Sequence, residues 1–238
     1  MVPALAGLVF FLNQKHALHL THFTMHIKEL IQACYNGSSE MVNQFSNAVI
    51  TFLFNIILMR LAGPNGVAAI TILLYGQFLF NAFYLGFSIG TSPIVGYQYG
   101  AGNRKELKSI YRISFRFVSL SSVIIAFAAV YLSSGIVTIF TDDPKTHALA
   151  VTGFGIFAYN FLFSGFNIAS SGFFTALSDG KSSAIISFCR TLLFTVISLL
   201  VLPRFFGVNG AWLAIPVAEF VTLLLSIWMH RKYLYRFI

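Results

Sequence analysis

The sequence predicts an all-α membrane protein: a bundle of six transmembrane helices, preceded by the end of one further helix and by a linker helix. Three observations carry this. Hydrophobic residues make up 57% of the chain and charged ones 9%, where a soluble domain has roughly a quarter charged, and mean hydropathy is +0.80. Six stretches, at about 39–61, 67–97, 110–140, 148–177, 183–203 and 209–229, are apolar over the roughly 20 residues that a bilayer crossing needs. Those runs are continuous rather than alternating at every second residue, which argues against a β-barrel.

The connectors between the stretches are short and rich in Gly, Pro, Asn and Asp, the residues of turns and helix caps: "AGPNG" at 62–66, "GAGNRKE" at 100–106, "TDDPKTH" at 141–147, "LSDGK" at 177–181 and "RFFGVNG" at 204–210. The turns "GPNGVAAI" (63–70) and "GVNGAWLAI" (207–215) share a Gly-x-Asn-Gly pattern and hint at an internal repeat of helix pairs. The resulting organisation is the end of a preceding transmembrane helix at 1–13, an interfacial linker helix at 14–36, a six-helix lobe at 37–230 and a basic tail at 231–238. The opening "VPALAGLVFFL" is too short to span and lacks the basic start of a signal peptide.

Positive charge orients the bundle. With the 100–106 connector on the cytoplasmic side, that side receives Lys15, Lys28, Arg104, Lys105, Lys108, Arg112, Arg116, Lys181, Arg231, Lys232 and Arg236. The other side receives Arg60, Lys145 and Arg204, and Arg190 falls inside a span. An excess of Lys and Arg in short loops marks the cytoplasmic face. A net charge of +8 therefore reads as membrane topology in the cell (plasma or inner) membrane. It does not read as nucleic-acid binding, for which no soluble module remains. Cys34 and Cys189 fit no metal or redox spacing. His16, His19, His22 and His26 sit at helical spacing just before a span, where an interfacial helix is the better reading than a metal site. No nucleophile–base pair or phosphate loop is present, so an enzyme is not expected.

At "SPIVGYQYGAGNRKELK" (92–108) the sequence resembles the multidrug and toxic compound extrusion (MATE) transporters. The match is Pro93 near the end of a span, then the turn Gly96, Tyr99, Gly100, Gly102 and Asn103, then basic residues. "TFLFNIILMRLAGPNGVAAI", "SSGFFTALSDGKSSAIISFCRTLLF" and the ending "AIPVAEF … HRKYLYRF" extend the resemblance over about 37–236, with the bacterial branch that includes MepA and DinF-like proteins looking nearest. The resemblance implies the second of two six-helix lobes, with the first lobe or a second chain to complete a central cavity. It also implies export of lipophilic cationic small molecules by antiport against H+ or Na+, with no other cofactor. The alternatives are a lipid-linked oligosaccharide flippase of the same superfamily and an inert half-protein or scaffold.

Polar groups in a membrane helix are costly and mark functional or packing positions. Glu40, Asn43, Gln44 and Asn47 share one helical face; Glu40 either caps its helix or faces the cavity as a proton or cation site. Asn160, Asn167, Ser170 and Ser171 form a second polar set. Some family members have carboxylates on these two spans that bind a cation; the resemblance sets Asn47 and Asn167 at those positions, which removes the negative charge. Tyr75, Phe154, Tyr159 and Phe163 are aromatic candidates for a cavity wall, where rings attract cations. Arg190 lies about seven residues into its helix and Glu219 about ten before the end of the next. Their depths therefore match within some 4 Å at about 1.5 Å per residue, which predicts a structural ion pair.

Overall fold

The structure is a computed structural model that describes residues 27–234, with side chains at 27, 28 and 45–234. The expected helix end at 1–13, the first part of the linker with its four histidines, Arg236, and the side chains of Glu40, Asn43 and Gln44 lie outside the described residues. The chain divides into Met1–Met41 and Val42–Ile238, and the second unit is the bundle.

Helix α1, Ile27–Gly100, has 74 residues. At 1.5 Å per residue a straight helix of that length would reach about 110 Å, several times the roughly 30 Å of a hydrocarbon core. It breaks at Gly63, whose φ of 66° and ψ of −156° belong to a backbone region essentially reserved for glycine. Pro64 follows, with no N–H to lose at a helix start. The limbs then run back along each other, since Asn47 and Thr51 of the first line the same cavity as Gln77 and Asn81 of the second.

Helix α2, Arg104–Phe140, starts from a turn with Gly102 at φ 68°. The Asn103 side chain accepts from the Glu106 backbone N at 3.2 Å, meeting one of the unpaired donors at a helix start. Helix α3, Pro144–Phe157, passes through a 3-10 turn at Ala158–Asn160 into α4, Phe161–Ala176. Asp143 caps α3 by accepting from Thr146 N at 2.8 Å and Thr146 Oγ1 at 2.7 Å. Helix α5, Gly180–Phe188, is capped by Asp179 and widens into a π-helical segment, Cys189–Phe194, before α6, Thr195–Tyr233.

Helix α6 turns at Gly207 (φ 56°, ψ −133°), and its fold-back repeats the one at Gly63. In both turns the second glycine sits tight against the limb before it. A Cβ on Gly66 would lie 2.7 Å from Ala62 Cβ, and one on Gly210 would run into the Leu202 carbonyl. The two Gly-x-Asn-Gly sequences are thus two copies of one turn. Among the described residues four helical stretches are long and apolar enough to cross a membrane, namely Phe45–Gly100, Arg104–Phe140, Pro144–Ala176 and Gly180–Tyr233. The folds at Gly63 and Gly207 divide the first and last, giving six limbs. Connectivity collects Arg104, Lys105, Lys181, Arg231 and Lys232 at one end of the bundle and Arg60, Lys145 and Arg204 at the other. The last helix continues through Arg231 and Lys232 to Tyr233, where cations complement a helix C-terminus.

Apolar burial does not drive helices together in lipid; close packing and interhelical hydrogen bonds do. Gly153 lets α3 approach the Leu73 and Trp212 side chains, and Gly165 lets α4 approach Tyr84. The Tyr84 hydroxyl donates to the Phe161 carbonyl at 3.1 Å. His230 is buried near the basic end, its Nδ1 3.0 Å from the Tyr111 hydroxyl, with the Phe115, Phe166 and Phe174 rings 5.1–5.6 Å away between centroids.

Two predictions follow from the turns. A Cβ at Gly63 or Gly207 meets open space, so alanine there should cost stability through backbone strain alone, about 1–3 kcal/mol each. Gly86→Ala, inside a helix with free space around it, should be neutral or slightly stabilising; thermal unfolding in micelles separates the three. The Asp143 carboxyl is held below the usual carboxylate range, first by the Thr146 hydroxyl and then by the Thr146 backbone N–H. A depressed folded value means the charged cap stabilises fully above the ordinary Asp pKa of about 3.9 and loses that contribution as pH falls through the lowered value. The melting temperature of wild type should therefore drop toward that of Asp143→Asn as pH is lowered below about 4, while the neutral variant lacks this step.

Candidate functional site

Both hairpins and α4 wall a cavity of about 300 Å³. Its polar wall is Asn47, Thr51, Gln77, Asn81, Thr191 and Thr195, with Arg190 and Glu219 between them. Asn47 and Thr51 are four residues apart on one limb of α1, and Gln77 and Asn81 are four apart on the other, so each pair presents one helical face. Phe78, Leu74, Ile168 and Ile215 complete the wall with apolar surface. A polar face inside an otherwise apolar bundle faces protein or water rather than lipid.

The charged centre is Arg190 Nε donating to Glu219 Oε1 at 2.9 Å, the side chains 19% and 4% exposed respectively. Arg190 belongs to the π-helical segment. Closing the backbone i to i+5 brings residues five apart onto one side of the helix; the Thr195 hydroxyl donates to the Arg190 carbonyl at 2.8 Å and both residues face the cavity. Glu219 is fixed from behind. Asn167 Nδ2 donates to Glu219 Oε2 at 2.8 Å and to the Glu219 backbone carbonyl at 2.9 Å. These two acceptor-only partners settle which way the amide points, and Ser226 Oγ in turn donates to Asn167 Oδ1 at 3.0 Å. The result is a chain Ser226–Asn167–Glu219–Arg190 running from packed interior to cavity wall. A buried ion pair holds its place only when extra hydrogen bonds satisfy its remaining lone pairs, and these are those bonds.

The structure brings only some of the expected residues to this cavity. Asn47, Arg190 and Glu219 line it. Asn167 does not; it is fully buried behind Glu219 as a hydrogen-bonding strut. Asn160 is also fully buried and donates to the Phe157 carbonyl at 2.6 Å, stitching the 3-10 turn. Ser170 bonds back to the Phe166 carbonyl, and Ser171 joins Ser183 and Ser187 in a hydroxyl cluster between α4 and α5. Tyr75 stacks on Phe140 with centroids 6.0 Å apart, away from the cavity. Phe154 is buried against Gly76, Phe163 packs on Phe220, and Tyr159 lies in an apolar groove with Phe127. Several of these placements share a cause: in a helix packed on several sides, an aromatic or small polar residue is most often taken up by a neighbouring helix, while Tyr75 and Tyr159 stay mostly exposed. Gln77, Asn81, Thr191 and Thr195 were not foreseen. The spacing of Gln77 and Asn81 was readable by the same rule that picked out Asn47. The positions of Thr191 and Thr195 depend on the π-helical widening, which leaves no mark in the pattern.

Among the described residues there is no cluster of three His, Cys, Asp or Glu able to hold a metal ion. In the family-motif turn, Gly100, Gly102 and Asn103 form the reversal between α1 and α2, with Asn103 N donating to the Gln98 carbonyl at 3.0 Å; Pro93, Gly96 and Tyr99 belong to the last turns of α1. This motif is part of the basic end and does not line the cavity.

The fold is that of solved transporters. An "Inward-facing conformation of a multidrug resistance MATE family transporter of the MOP superfamily" superposes with a TM-score of 0.86 at 18% identity, covering 97% of this chain and 54% of that one. A "Crystal structure of MATE in complex with MaL6" gives 0.83 at 18% identity, covering 99% of this chain and 54% of that one. A MOP superfamily transporter from Pyrococcus furiosus, described as having a binding pocket of reverse polarity, gives 0.81 at 18% identity, covering 97% and 53%. The chain thus spans about half the length of the transporters it matches. No curated protein matches it. The MatE family model matches residues 41–200, more than half of the sequence, and the chain belongs to the MATE family of membrane transporters.

Proposed function

We propose that this chain forms one lobe of a secondary active antiporter that exports small amphiphilic organic molecules, lipophilic cations of the multidrug type among them, in exchange for H+ or Na+. The observation that carries the proposal is the cavity: a polar, ion-paired wall on one side of an apolar six-limb bundle, built from both hairpins. Such a wall exposed to lipid would be unfavourable, so it is placed to face a second lobe across a substrate pathway. Family membership and a span of about half the matched transporters support a partner lobe. Alternating access then amounts to rocking one lobe against the other around the fixed site. The end carrying Arg104, Lys105, Lys181, Arg231 and Lys232 faces the cytoplasm by the excess of basic residues there.

The coupling site is assigned away from Asn47 and Asn167. Neither carries charge, and Asn167 spends its amide on Glu219 and Ser226. The Arg190–Glu219 pair holds the lobe in its transport-competent shape, and the coupling cation binds chiefly through residues of the other lobe.

Liposomes containing the protein as it occurs in the cell, with its partner lobe, should move ethidium or norfloxacin under an imposed H+ or Na+ gradient; no gradient-dependent movement with either ion would defeat the antiporter reading. For the pair itself, Arg190→Met should destabilise by about 3 kcal/mol, the low end for an orphaned buried charge because Arg190 borders the cavity. The Arg190→Met, Glu219→Met double variant should recover most of that loss, as read by thermal unfolding.

A further inference from the structure

The two charges of the cavity are not equally available to a ligand. Each Glu219 carboxylate oxygen has a partner in the wall, Oε1 accepting from Arg190 Nε at 2.9 Å and Oε2 from Asn167 Nδ2 at 2.8 Å, and burial keeps the remaining lone pairs from the cavity. Its side chain is 4% exposed. Arg190 is 19% exposed, and the ion pair uses one of the five N–H donors that a guanidinium carries. The pair is neutral at long range, but at contact distance its positive end is the accessible one.

The rest of the wall adds no charge: among the described residues, the cavity lining contains no other Asp, Glu, Lys or His. Thr191 and Thr195 commit their hydroxyl protons to the Ser187 and Arg190 carbonyls and keep only neutral acceptor lone pairs, while Gln77 and Asn81 bring side-chain amides with both donors and acceptors. Leu74, Phe78 and Ile215 supply apolar surface beside the guanidinium. A cation entering here would meet a positive group first, with the carboxylate almost wholly buried behind it. An acid group would meet a planar fork suited to it, in surroundings of low dielectric where charge-assisted bonds are strong.

We propose that this half of the cavity recognises the acidic group of an amphiphilic substrate, a carboxylate or a comparable organic anion, held by Arg190 with its apolar body against Phe78 and Leu74. The inference rests on the transport reading for its setting and refines the substrate class of this half of the cavity: among the exported amphiphiles, it holds those that carry an acid group, zwitterions included.

The test uses two probes with the same ring and opposite charge, 1-naphthoate and 1-naphthylmethylammonium, at neutral pH. Equilibrium binding is measured to the protein with its partner lobe, in nanodiscs of phosphatidylcholine and with no ion gradient. Wild type should bind the naphthoate about tenfold or more tightly than the ammonium, the size of one charge-assisted contact. Asn47→Asp adds a carboxylate to the wall at an exposed position and should erase that preference. The Arg190→Met, Glu219→Met double variant should bind the two probes equally. Preference for the ammonium in wild type, no saturable binding of the naphthoate, or an anion preference that survives in the Arg190→Met, Glu219→Met double variant overturns the inference. Since no gradient is applied, failure of transport and failure of acid recognition are separate results: ethidium export with ammonium preference would sink this inference and leave the antiporter standing.

Discussion

Everything in this lobe is arranged around the difficulty of keeping Arg190 and Glu219 in a membrane. A carboxylate taken out of water costs several kcal/mol even after the protein relaxes, and a guanidinium partner alone rarely repays it. The lobe meets that cost by surrounding the carboxylate. Asn167 on α4 reaches both the Glu219 side chain and its backbone, and Ser226, two helical turns further along α6, holds the Asn167 amide in place. Glu219 is therefore the meeting point of α4, α6 and the π-helical segment. These are the helices whose mutual position defines one side of the cavity.

The hairpins make that meeting possible. Each is a Gly-x-Asn-Gly turn in which the first glycine takes a positive φ and the second lets the returning limb start close to the preceding one. The first hairpin brings Asn47 and Thr51 beside Gln77 and Asn81; the second brings Arg190 beside Glu219. The cavity is therefore the place where two copies of one local solution face each other, with Ile168 of α4 between them. Repeating a turn is an economical way to line two sides of one space, because each copy delivers polar side chains at a depth set by its distance from the bend.

That dependence on distance explains what could be read in advance. Span positions follow from composition, turns from Gly, Pro, Asn and Asp, and the matching depth of Arg190 and Glu219 from counting residues along antiparallel helices. Depth is a one-dimensional quantity. Which way a side chain points around its helix is not, and composition does not give it. Asn167 and Asn47 looked alike as intramembrane asparagines, yet one is a strut and the other a wall. Of the aromatic candidates, Phe154 is buried against Gly76 and Phe163 packs on Phe220, while Tyr75 and Tyr159 stay mostly exposed. His230, next to Arg231 and Lys232 in the sequence, is 7% exposed and enclosed by rings. The π-helical widening at Cys189–Phe194 shifts the angular register of everything after it, so a count based on 3.6 residues per turn cannot assign the faces of Thr191 and Thr195.

In the proposed acid recognition, the same distinction between having a polar group and offering it sets the substrate class. A count of formal charges in this cavity returns one positive and one negative and suggests indifference to ligand charge. Burial says otherwise, because the carboxylate is 4% exposed and the guanidinium 19%. Enclosing the carboxylate among hydrogen-bond donors is what allows the chain to fold with it, and that enclosure withdraws it from a ligand. Stability and selectivity are then set by the same bonds. Loosening Asn167 from Glu219 would return an acceptor to the cavity wall and leave the carboxylate less well solvated by protein, so the lobe cannot become more attractive to cations by this route without becoming less stable.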